Sequence, residues 1–282
     1  MTNSTKWVRK LFNYYIKDTS INIYFEEKDK LQLEEKVINL SIHPIRFADD
    51  IFFNFETNDL IIKEKLKKYE VDYDIFYNYA NMIQATYLKT VKKNNIKENS
   101  LLLIGQTSKD KVIFNGQKYL SLIDYLDEIK NISKDYNIIY YKPHPYENSK
   151  DTIKELKKSF KNIIIVYDNI YYLLSNENIK HVIALNSSVL YEAKYFNKQT
   201  TFLYKPYFDF SKEDIGIYIN YFDSDFWSDI LEIKNYNIKI PNQKNRLRKI
   251  LNDFWGYTEL DDEIILKDIF KSKIKYFFAK YF

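Results

Sequence analysis

Three short polar segments, each directly after an apolar run, most constrain what this chain can fold into. They are 105–110 after LLLI, 142–145 after NIIYY, and 186–188 after HVIAL. Apolar runs of four to six residues that end in loops, with helical patterns between them, are typical of parallel strands alternating with helices. Ligands of such sheets bind at the carboxyl ends of the strands, so a functional site is expected where these three segments lie.

The same pattern continues over 101–204 and predicts the order β-α-β-α-β-α-β-α-β, which folds into a doubly wound parallel sheet. The predicted strands cover 101–104, 138–141, 163–166, 182–185 and 200–204. The predicted helices cover 119–133, 149–160, 170–175 and 188–196.

Outside this stretch the pattern is weaker. Strands are predicted at 21–25 and 37–42, a helix at 63–93 and a solvated polar loop at 43–50. After Pro206 only helices are predicted, at 226–231 and 242–255. We therefore expect an α/β protein with three parts. These parts are a short N-terminal domain at 1–97, a Rossmann-like domain at 98–210, and a C-terminal helical segment at 211–282 that packs back on the body.

Composition excludes several classes of function. The chain has no cysteine and only three histidines, so disulfides and thiolate zinc sites are excluded and a histidine-based metal site is not expected. The net charge of +4 is spread along the chain, whereas nucleic-acid interfaces concentrate basic residues on one face. No apolar run approaches the roughly 20 residues of a membrane span, and no signal peptide is recognisable, so we expect a cytoplasmic protein.

One local excess of basic residues lies in the tail, 270–282, where lysines alternate with aromatic residues. Two interpretations remain open. A short basic, aromatic helix could lie on an anionic membrane, giving peripheral contact with the inner membrane. Alternatively, the tail is a closing helix that packs its phenylalanines on the body.

The segment 186–188 places two hydroxyls, those of Ser187 and Ser188, at the start of a predicted helix. Hydroxyls beside the backbone N–H groups of a helix start suit a phosphate. The alternative is that one serine merely caps the helix, which is common.

The segment 142–145 holds His144 between two prolines, which fix its backbone and present the imidazole stiffly at a strand end. Beside Lys142, this imidazole can stabilise a leaving phosphate by hydrogen bonding or proton donation. The alternative is a rigid turn with a solvated histidine. Asp110 can act as a base for an acceptor hydroxyl or as a nucleophile on an anomeric carbon, unless it is only exposed or capping.

Glu192 lies one turn into the helix predicted after Ser188 and can reach a ribose, unless it is an exposed helix carboxylate. No GxGxxG or P-loop sequence occurs, which argues against Rossmann dinucleotide sites and P-loop sites. A phosphate site, an imidazole and a carboxylate at one edge of a sheet together predict a metal-independent transferase of a nucleotide-activated sugar.

Three motifs are GQTxxD at 105–110, YKPHP at 141–145 and NSSxxxEA at 186–193, and FWxxIL at 226–231 and NxxR to WGY at 245–257 follow them. In these motifs the chain resembles the glycosyltransferases of capsule polysaccharide biosynthesis, including bacterial Kdo transferases. The resemblance covers about 100–260 and leaves the N-terminal part unmatched.

The resemblance implies a GT-B fold, with two Rossmann-like domains of which the N-terminal one is short, and with C-terminal helices that close the cleft. It implies a CMP-activated donor of Kdo or a similar ulosonic acid. The acceptor would be a growing capsule or lipopolysaccharide glycan or a glycolipid. Neither a metal nor a cofactor is expected.

Carried over residue by residue, the resemblance assigns the CMP phosphate to His144, Ser187 and Ser188, and the cytidine ribose to Glu192. Asp110 would be the catalytic carboxylate, assisted by His144. The implied donor-binding residues are Gln106, Lys142, His144, Asn186, Ser187, Ser188 and Glu192.

Related bacterial sialyltransferases share the Lys-x-His-Pro and Ser-Ser features and also use a CMP sugar, but usually carry glycine after the catalytic carboxylate. Here Lys111 follows Asp110, which favours the Kdo-like group. A CMP-sialic acid-dependent sialyltransferase and a non-catalytic homologue that binds glycan or an assembly partner remain the alternatives. Asp49 and Asp50 are candidates for a second carboxylate.

Overall fold

The structure is a computed structural model, and it divides into two compact units. One unit comprises Met1–Tyr73 with Phe208–Thr258, and the other Asp74–Tyr207 with Glu259–Phe282. These limits differ from the expected boundaries at 97 and 210. The described residues are 21–25, 27–48, 52–90, 96–145, 147, 149–206, 215–218, 224–231 and 274.

The first unit contains a four-stranded mixed sheet in the order β1-β2-β3-β9. β1 runs parallel to β2, whereas β3 is antiparallel to both β2 and β9. The strands are β1 (Asn22–Phe25), β2 (Val37–Ile42), β3 (Phe52–Thr57) and β9 (Ile215–Tyr218). The helices among the described residues of this unit are α1 (Lys30–Leu33), α2 (Leu60–Lys67) and α8 (Ser224–Leu231).

The core of the first unit lies on one face of this sheet. Strand side chains alternate between faces, and those of β2, β3 and β9 that point to this side are apolar except for Thr57 at the end of β3. They pack against the apolar side of α2 and of α8. The central residues are Ile38, Leu40, Phe53, Phe55, Ile215, Ile217, Ile62, Leu66, Phe226 and Ile230.

β1 and β2 confirm the prediction, but β9 contradicts the expectation of helices alone after Pro206. β9 has only four residues, and its pairing with β3, far away in the sequence, specifies it. A short segment of this kind carries little local periodicity, so the sequence pattern could not reveal it. This pairing also assigns 215–218 to the first unit.

The predicted helix at 63–93 is two helices, α2 and α3 (Asp74–Thr90). Asp59 caps α2 by accepting hydrogen bonds from the N–H groups of Ile61 and Ile62. The helix is interrupted between α2 and α3, where the N–H of Val71 donates to the carbonyl of Gly216 over 2.8 Å instead of to a carbonyl of the preceding helical turn.

The expected solvated loop at 43–50 is instead buried over 43–48, and Asp49 and Asp50 lie outside the described residues. The His43 side chain is buried between the rings of Phe52 and Tyr73, with centroids 6.0 Å away in both cases. Its Nδ1 accepts a hydrogen bond from the N–H of Ile45. Burial, with a smaller effect of the Arg46 charge, lowers the pKa of His43 to about 3.

The depressed pKa of His43 predicts that acid destabilises the protein. The unfolded chain binds a proton at His43 below its ordinary pKa of 6.5, whereas the folded protein binds it only near 3. Stability present above about pH 6.5 is therefore lost as the pH falls towards 3, by about 2 kcal/mol at about pH 5. Urea unfolding at neutral and acidic pH should show this slope, and His43→Asn, which keeps an acceptor for Ile45, should flatten it. An equal slope in the variant would contradict the assignment.

The second unit confirms the predicted parallel sheet, with the strand order β6-β5-β4-β7-β8. All four pairings are parallel. The strands are β4 (Ser100–Ile104), β5 (Ile138–Lys142), β6 (Ile163–Ile165), β7 (Ile179–Ala184) and β8 (Gln199–Phe202). The further helices are α4 (Leu126–Ser133), α5 (Lys150–Ser159), α6 (Ile170–Ser175) and α7 (Val189–Tyr195).

Two details of the second unit depart from the expectation. The predicted helix at 119–133 begins as a 3₁₀ helix, Leu122–Tyr125, and only then continues as α4. α3 belongs to this unit because Phe76 packs edge-to-face on Tyr195 of α7, with ring centroids 5.4 Å apart.

Numbered from β4, the strand order reads 3-2-1-4-5, so the direction of winding reverses between β4 and β7. A crevice forms at such a switch point, at the carboxyl ends of the two strands, and ligands of doubly wound sheets bind there.

The predicted helix at 242–255 and the tail at 270–282 lie outside the described residues, except that Ile274 is helical. Among the residues that are described, no helix combines the length and apolar character needed to cross a bilayer.

Candidate functional site

The loops that follow β4 and β7 are joined at the switch point through Gln106. Its side-chain oxygen accepts the N–H of Asn186 over 3.1 Å, and its Nε2 lies 3.3 Å from the Asn186 carbonyl oxygen. The amide thereby pairs with the backbone of Asn186 as a neighbouring strand would. The side chain of Asn186 in turn donates to the carbonyl of Lys205 over 2.8 Å, which attaches the end of β8 as well.

Asp110 lies beside Gln106 and is held at both carboxylate oxygens. Oδ2 accepts from Nε2 of Gln106 over 3.1 Å, and Oδ1 accepts from the N–H of Val112 over 3.1 Å. The second bond caps the 3₁₀ helix Lys111–Ile113, so the capping interpretation of Asp110 is correct. It does not exclude a chemical role, because each carboxylate oxygen has a further lone pair.

His144 follows β5 and is half-buried within electrostatic range of Lys142, Glu147 and Asp110. Burial lowers the pKa of His144 below its ordinary value, and the positive charge of Lys142 lowers it further. The carboxylates of Glu147 and Asp110 act in the opposite direction. The imidazole predicted from the second segment and the carboxylate predicted from the first are therefore brought together.

Ser187 and Ser188 precede α7 and are partly exposed. The hydroxyl oxygen of Ser187 accepts from the N–H of Val189, the first residue of α7, at 3.3 Å. Ser188 occupies the N-cap position but makes no side-chain cap bond, so only Ser187 supports the helix start through its hydroxyl. Its hydroxyl hydrogen remains available for donation to a ligand, because a hydroxyl can accept and donate at once. Asn186 holds the two serines at the switch point, on the β7 side.

Glu192 differs from both interpretations made for it. It is 2% exposed, and the hydroxyl of Tyr171 donates to its Oε1 over 3.0 Å. The side chain is therefore neither an exposed helix carboxylate nor open to a ribose in this arrangement. Contact with a ligand would require Tyr171 to move away.

Glu147 is a residue of the site that the sequence did not single out. Its Oε2 accepts from the N–H of Ser108 over 2.8 Å, and its own N–H donates to the carbonyl of His144 over 3.2 Å. It therefore joins the loops after β4 and β5. Its place two residues after Pro145 is the only signal that could have indicated it.

Gly105 allows the loops after β4 and β5 to approach each other. A Cβ at this position would lie 3.0 Å from the N of His144, 3.2 Å from Cα of Pro143 and 2.8 Å from the hydroxyl of Tyr141. Tyr141 is buried next to Gly105 and is hydrogen-bonded to Ser149. Burial raises the pKa of Tyr141 to about 12.

The arrangement places two carboxylates, one imidazole, one ammonium and two hydroxyls at the carboxyl ends of three adjacent strands. These groups can bind a phosphate and act on a bond beside it. Among the described residues, no group of three or more His, Asp or Glu side chains is placed to hold a metal ion.

Comparison with known families decides what kind of protein carries this site. The model of the family "Alpha-2,8-polysialyltransferase (POLYST)" matches residues 10–205, which is more than half of the 282-residue chain. The chain belongs to this polysialyltransferase family. The resemblance to glycosyltransferases of acidic sugars is thereby confirmed at the level of the family, and the matched range contains all three polar segments.

Two further comparisons add little information about the function of this family member. No curated protein matches the sequence. Among solved structures, the chain is similar to KpsC of Thermosulfurimonas dismutans, described as a beta Kdo 2,7 transferase. The likeness has 18% identity and a TM-score of 0.42, and it covers 76% of this chain and 77% of that one. It is too distant to bear on the function.

Gly105→Ala is expected to disturb this polysialyltransferase-family site directly. Two of the three atoms that a Cβ would meet are backbone, so the Pro143–His144 loop must shift. Overpacking of this kind costs about 1–3 kcal/mol, and a shift of about 1 Å at a reacting group costs roughly 10²-fold in rate. Thermal unfolding and initial rates would measure both.

Gly116→Ala is the matched control for this substitution. A Cβ there would meet nothing within 4 Å, although the φ of +95° strains any side chain. It should therefore lower stability while leaving the activity of the folded enzyme unchanged. Equal losses of activity in the two variants would contradict the role given to Gly105.

Proposed function

We propose that this chain transfers an acidic nine-carbon sugar, a sialic acid, from a CMP-activated donor to a growing surface glycan. The family supports an acidic sugar and the polysialyltransferase type of reaction. The observation that carries the proposal is the hydrogen-bonded connection from Asn186 through Gln106 to Asp110, with His144 in electrostatic range of that carboxylate.

The site is suited to the leaving group of a CMP sugar. When the bond between the anomeric carbon and the phosphate oxygen breaks, negative charge develops on the CMP phosphate. His144, Ser187 and Ser188 would donate hydrogen bonds or a proton to that phosphate, and Lys142 would contribute positive charge. Donors fixed in advance at the site of developing charge are an effective form of catalysis.

Asp110 would supply the carboxylate that glycosyl transfer requires. As a base, it takes the proton of the acceptor hydroxyl while the acceptor oxygen bonds to the anomeric carbon and CMP leaves. As a nucleophile, it bonds to that carbon while CMP leaves; the acceptor oxygen then displaces the carboxylate, which takes the proton of the acceptor hydroxyl. Its bonds to Gln106 and Val112 fix the carboxylate orientation for either route.

The remaining expectations belong to the same proposal. A GT-B arrangement would assign acceptor binding to the first unit, and the tail at 270–282 would provide contact with the inner membrane. Glu192 would reach the cytidine ribose only after Tyr171 released it. Catalysis would need no metal ion or cofactor.

Kdo is the second candidate for the transferred sugar. The observation in its favour is Lys111, which stands where the related sialyltransferases usually carry glycine after the catalytic carboxylate. The match to the polysialyltransferase family favours sialic acid over Kdo, so sialic acid is the first candidate.

The proposal is tested by incubating the protein with CMP-sialic acid or with CMP-Kdo, each with and without oligosaccharide acceptors, and measuring released CMP and extended glycan. Acceptor-dependent release from CMP-sialic acid is the expected result. Release from CMP-Kdo alone would support the second candidate. Release from neither, with glycan binding retained, would support the non-catalytic alternative and overturn the proposal.

A further inference from the structure

Glu147 occupies the junction between the two loops that carry the proposed catalytic groups. One loop holds Asp110 after β4, and the other holds His144 after β5. Among the described residues, Ser108 is hydrogen-bonded to the second loop only through its N–H, which donates to Oε2 of Glu147 over 2.8 Å. Because this bond joins a carboxylate to a backbone N–H, it belongs to the stronger, charge-assisted class.

The bonds around Glu147 complete a continuous connection across the site. The N–H of Glu147 donates to the carbonyl of His144, and its carboxylate holds Ser108, two residues before Asp110. From Asp110 the connection continues through Gln106 to Asn186. All three polar segments are thus joined. The segments after β4 and β5 meet first where the N–H of Gly105 donates to the carbonyl of Lys142 over 2.8 Å, and Glu147 adds a second connection further along both loops, beside Asp110 and His144.

We propose that Glu147 is a positioning residue, which sets the separation of His144 and Asp110 by holding the two loops together. The proposal rests on the proposed function, since it concerns the same two groups. Glu147 itself need not touch the substrate, because its Oε2 is already engaged with Ser108.

The charge of Glu147 has a second consequence for His144. Burial and Lys142 depress the pKa of the imidazole, whereas Glu147 and, to a smaller extent, Asp110 raise it. Removal of the Glu147 charge should therefore lower the pKa of His144 further. If the imidazolium is the active form, the loss of activity with rising pH should then begin at a lower pH.

Three substitutions separate positioning from charge. Glu147→Gln keeps the length and an acceptor oxygen for Ser108 but loses the charge. Glu147→Asp keeps the charge but is too short to reach, and Glu147→Ala removes both. We expect kcat to fall roughly 10²-fold in the alanine variant and nearly as much in the aspartate variant, with little change in the KM of the donor. The glutamine variant should retain most of kcat.

Two measurements that need no activity accompany the kinetics. Amide hydrogen exchange at Ser108 should be as slow in Glu147→Gln as in the wild type and faster in the other two variants. NMR titration of the imidazole should show a lower pKa of His144 in the glutamine and alanine variants; with only three histidines, its signal can be assigned by substitution.

The outcomes separate this inference from the proposed function. If the wild type releases CMP from no donor, the proposed function fails, and the exchange and titration data still decide the role of Glu147. Unchanged Ser108 exchange in Glu147→Ala would overturn the inference. Equal inactivity of the glutamine and alanine variants would also overturn it, because it would show that the carboxylate acts chemically.

Discussion

Asp110→Asn is expected to reduce kcat by roughly 10²–10⁴-fold, the contribution typical of a positioned acid–base group. The amide is nearly isosteric and can still accept the N–H of Val112, so the cap of the 3₁₀ helix survives. It cannot abstract a proton or attack an anomeric carbon. Initial rates of acceptor-dependent CMP release would measure the loss.

The same substitution has a small structural cost that must be measured separately. The amide of Asn would face Nε2 of Gln106, which cannot turn over without losing its pairing with Asn186. One mismatched hydrogen bond costs about 1–3 kcal/mol, which is insufficient to unfold a typical domain. Asp124→Asn is the matched control, because Asp124 accepts the N–H of Ser121 at the start of the other 3₁₀ helix. Full activity of Asp110→Asn would show that Asp110 is only a cap.

His144→Ala is expected to reduce kcat by roughly 10²–10³-fold, the usual cost of removing one donor to a developing negative charge. The fold should be little affected, because the backbone carbonyl of His144, which accepts the N–H of Glu147, is retained. The deficit should be largest for donors with the poorest leaving groups. Single-turnover kinetics of CMP release would separate this effect from donor binding.

His181→Asn controls for the loss of a histidine as such. Its ring contacts the hydroxyls of Tyr136 and Thr201, each at 2.9 Å, and it lies five residues before Asn186, about 16 Å along an extended strand. This variant should lose stability and keep its activity per folded molecule. A larger rate loss from His181→Asn than from His144→Ala would contradict the site.

The second unit could be predicted from the sequence because its central strands, β4, β5 and β7, are buried on both faces over most of their length. A parallel strand covered by helices is a continuous apolar run, such as LLLI in β4, whatever its partners are. The polar segments after these runs then had to meet at one edge of the sheet. For that reason Gln106, Asp110, His144 and Asn186 could be placed together without any structure.

The first unit could not be predicted to the same extent. β3 and β9 depend on antiparallel pairing between distant parts of the chain, and local periodicity does not report such pairing. The burial of His43 has the same origin, because the rings that enclose it come from Phe52 and Tyr73 rather than from its neighbours in sequence.

The contacts of two residues at the site also could not be predicted from the sequence. The position of Glu192, one turn into a helix, predicts an accessible carboxylate, but all of 190–193 is buried, and the hydrogen bond from Tyr171 of α6 determines where the carboxylate points. Glu147 belongs to the site because its carboxylate accepts the N–H of Ser108, which lies on another loop. Contacts between separate elements decide both cases.

The central claim is that the ends of β4, β5 and β7 form one donor-phosphate site. Calorimetric titration of CMP into the wild type and into the double variant Ser187→Ala, Ser188→Ala tests it most directly. We predict saturable binding by the wild type, weakened roughly tenfold or more in the double variant, since each lost hydrogen bond to a charged group is worth about 1.5–3 kcal/mol. Absence of CMP binding to the wild type at millimolar concentration, or equal affinity of the two proteins, would contradict it.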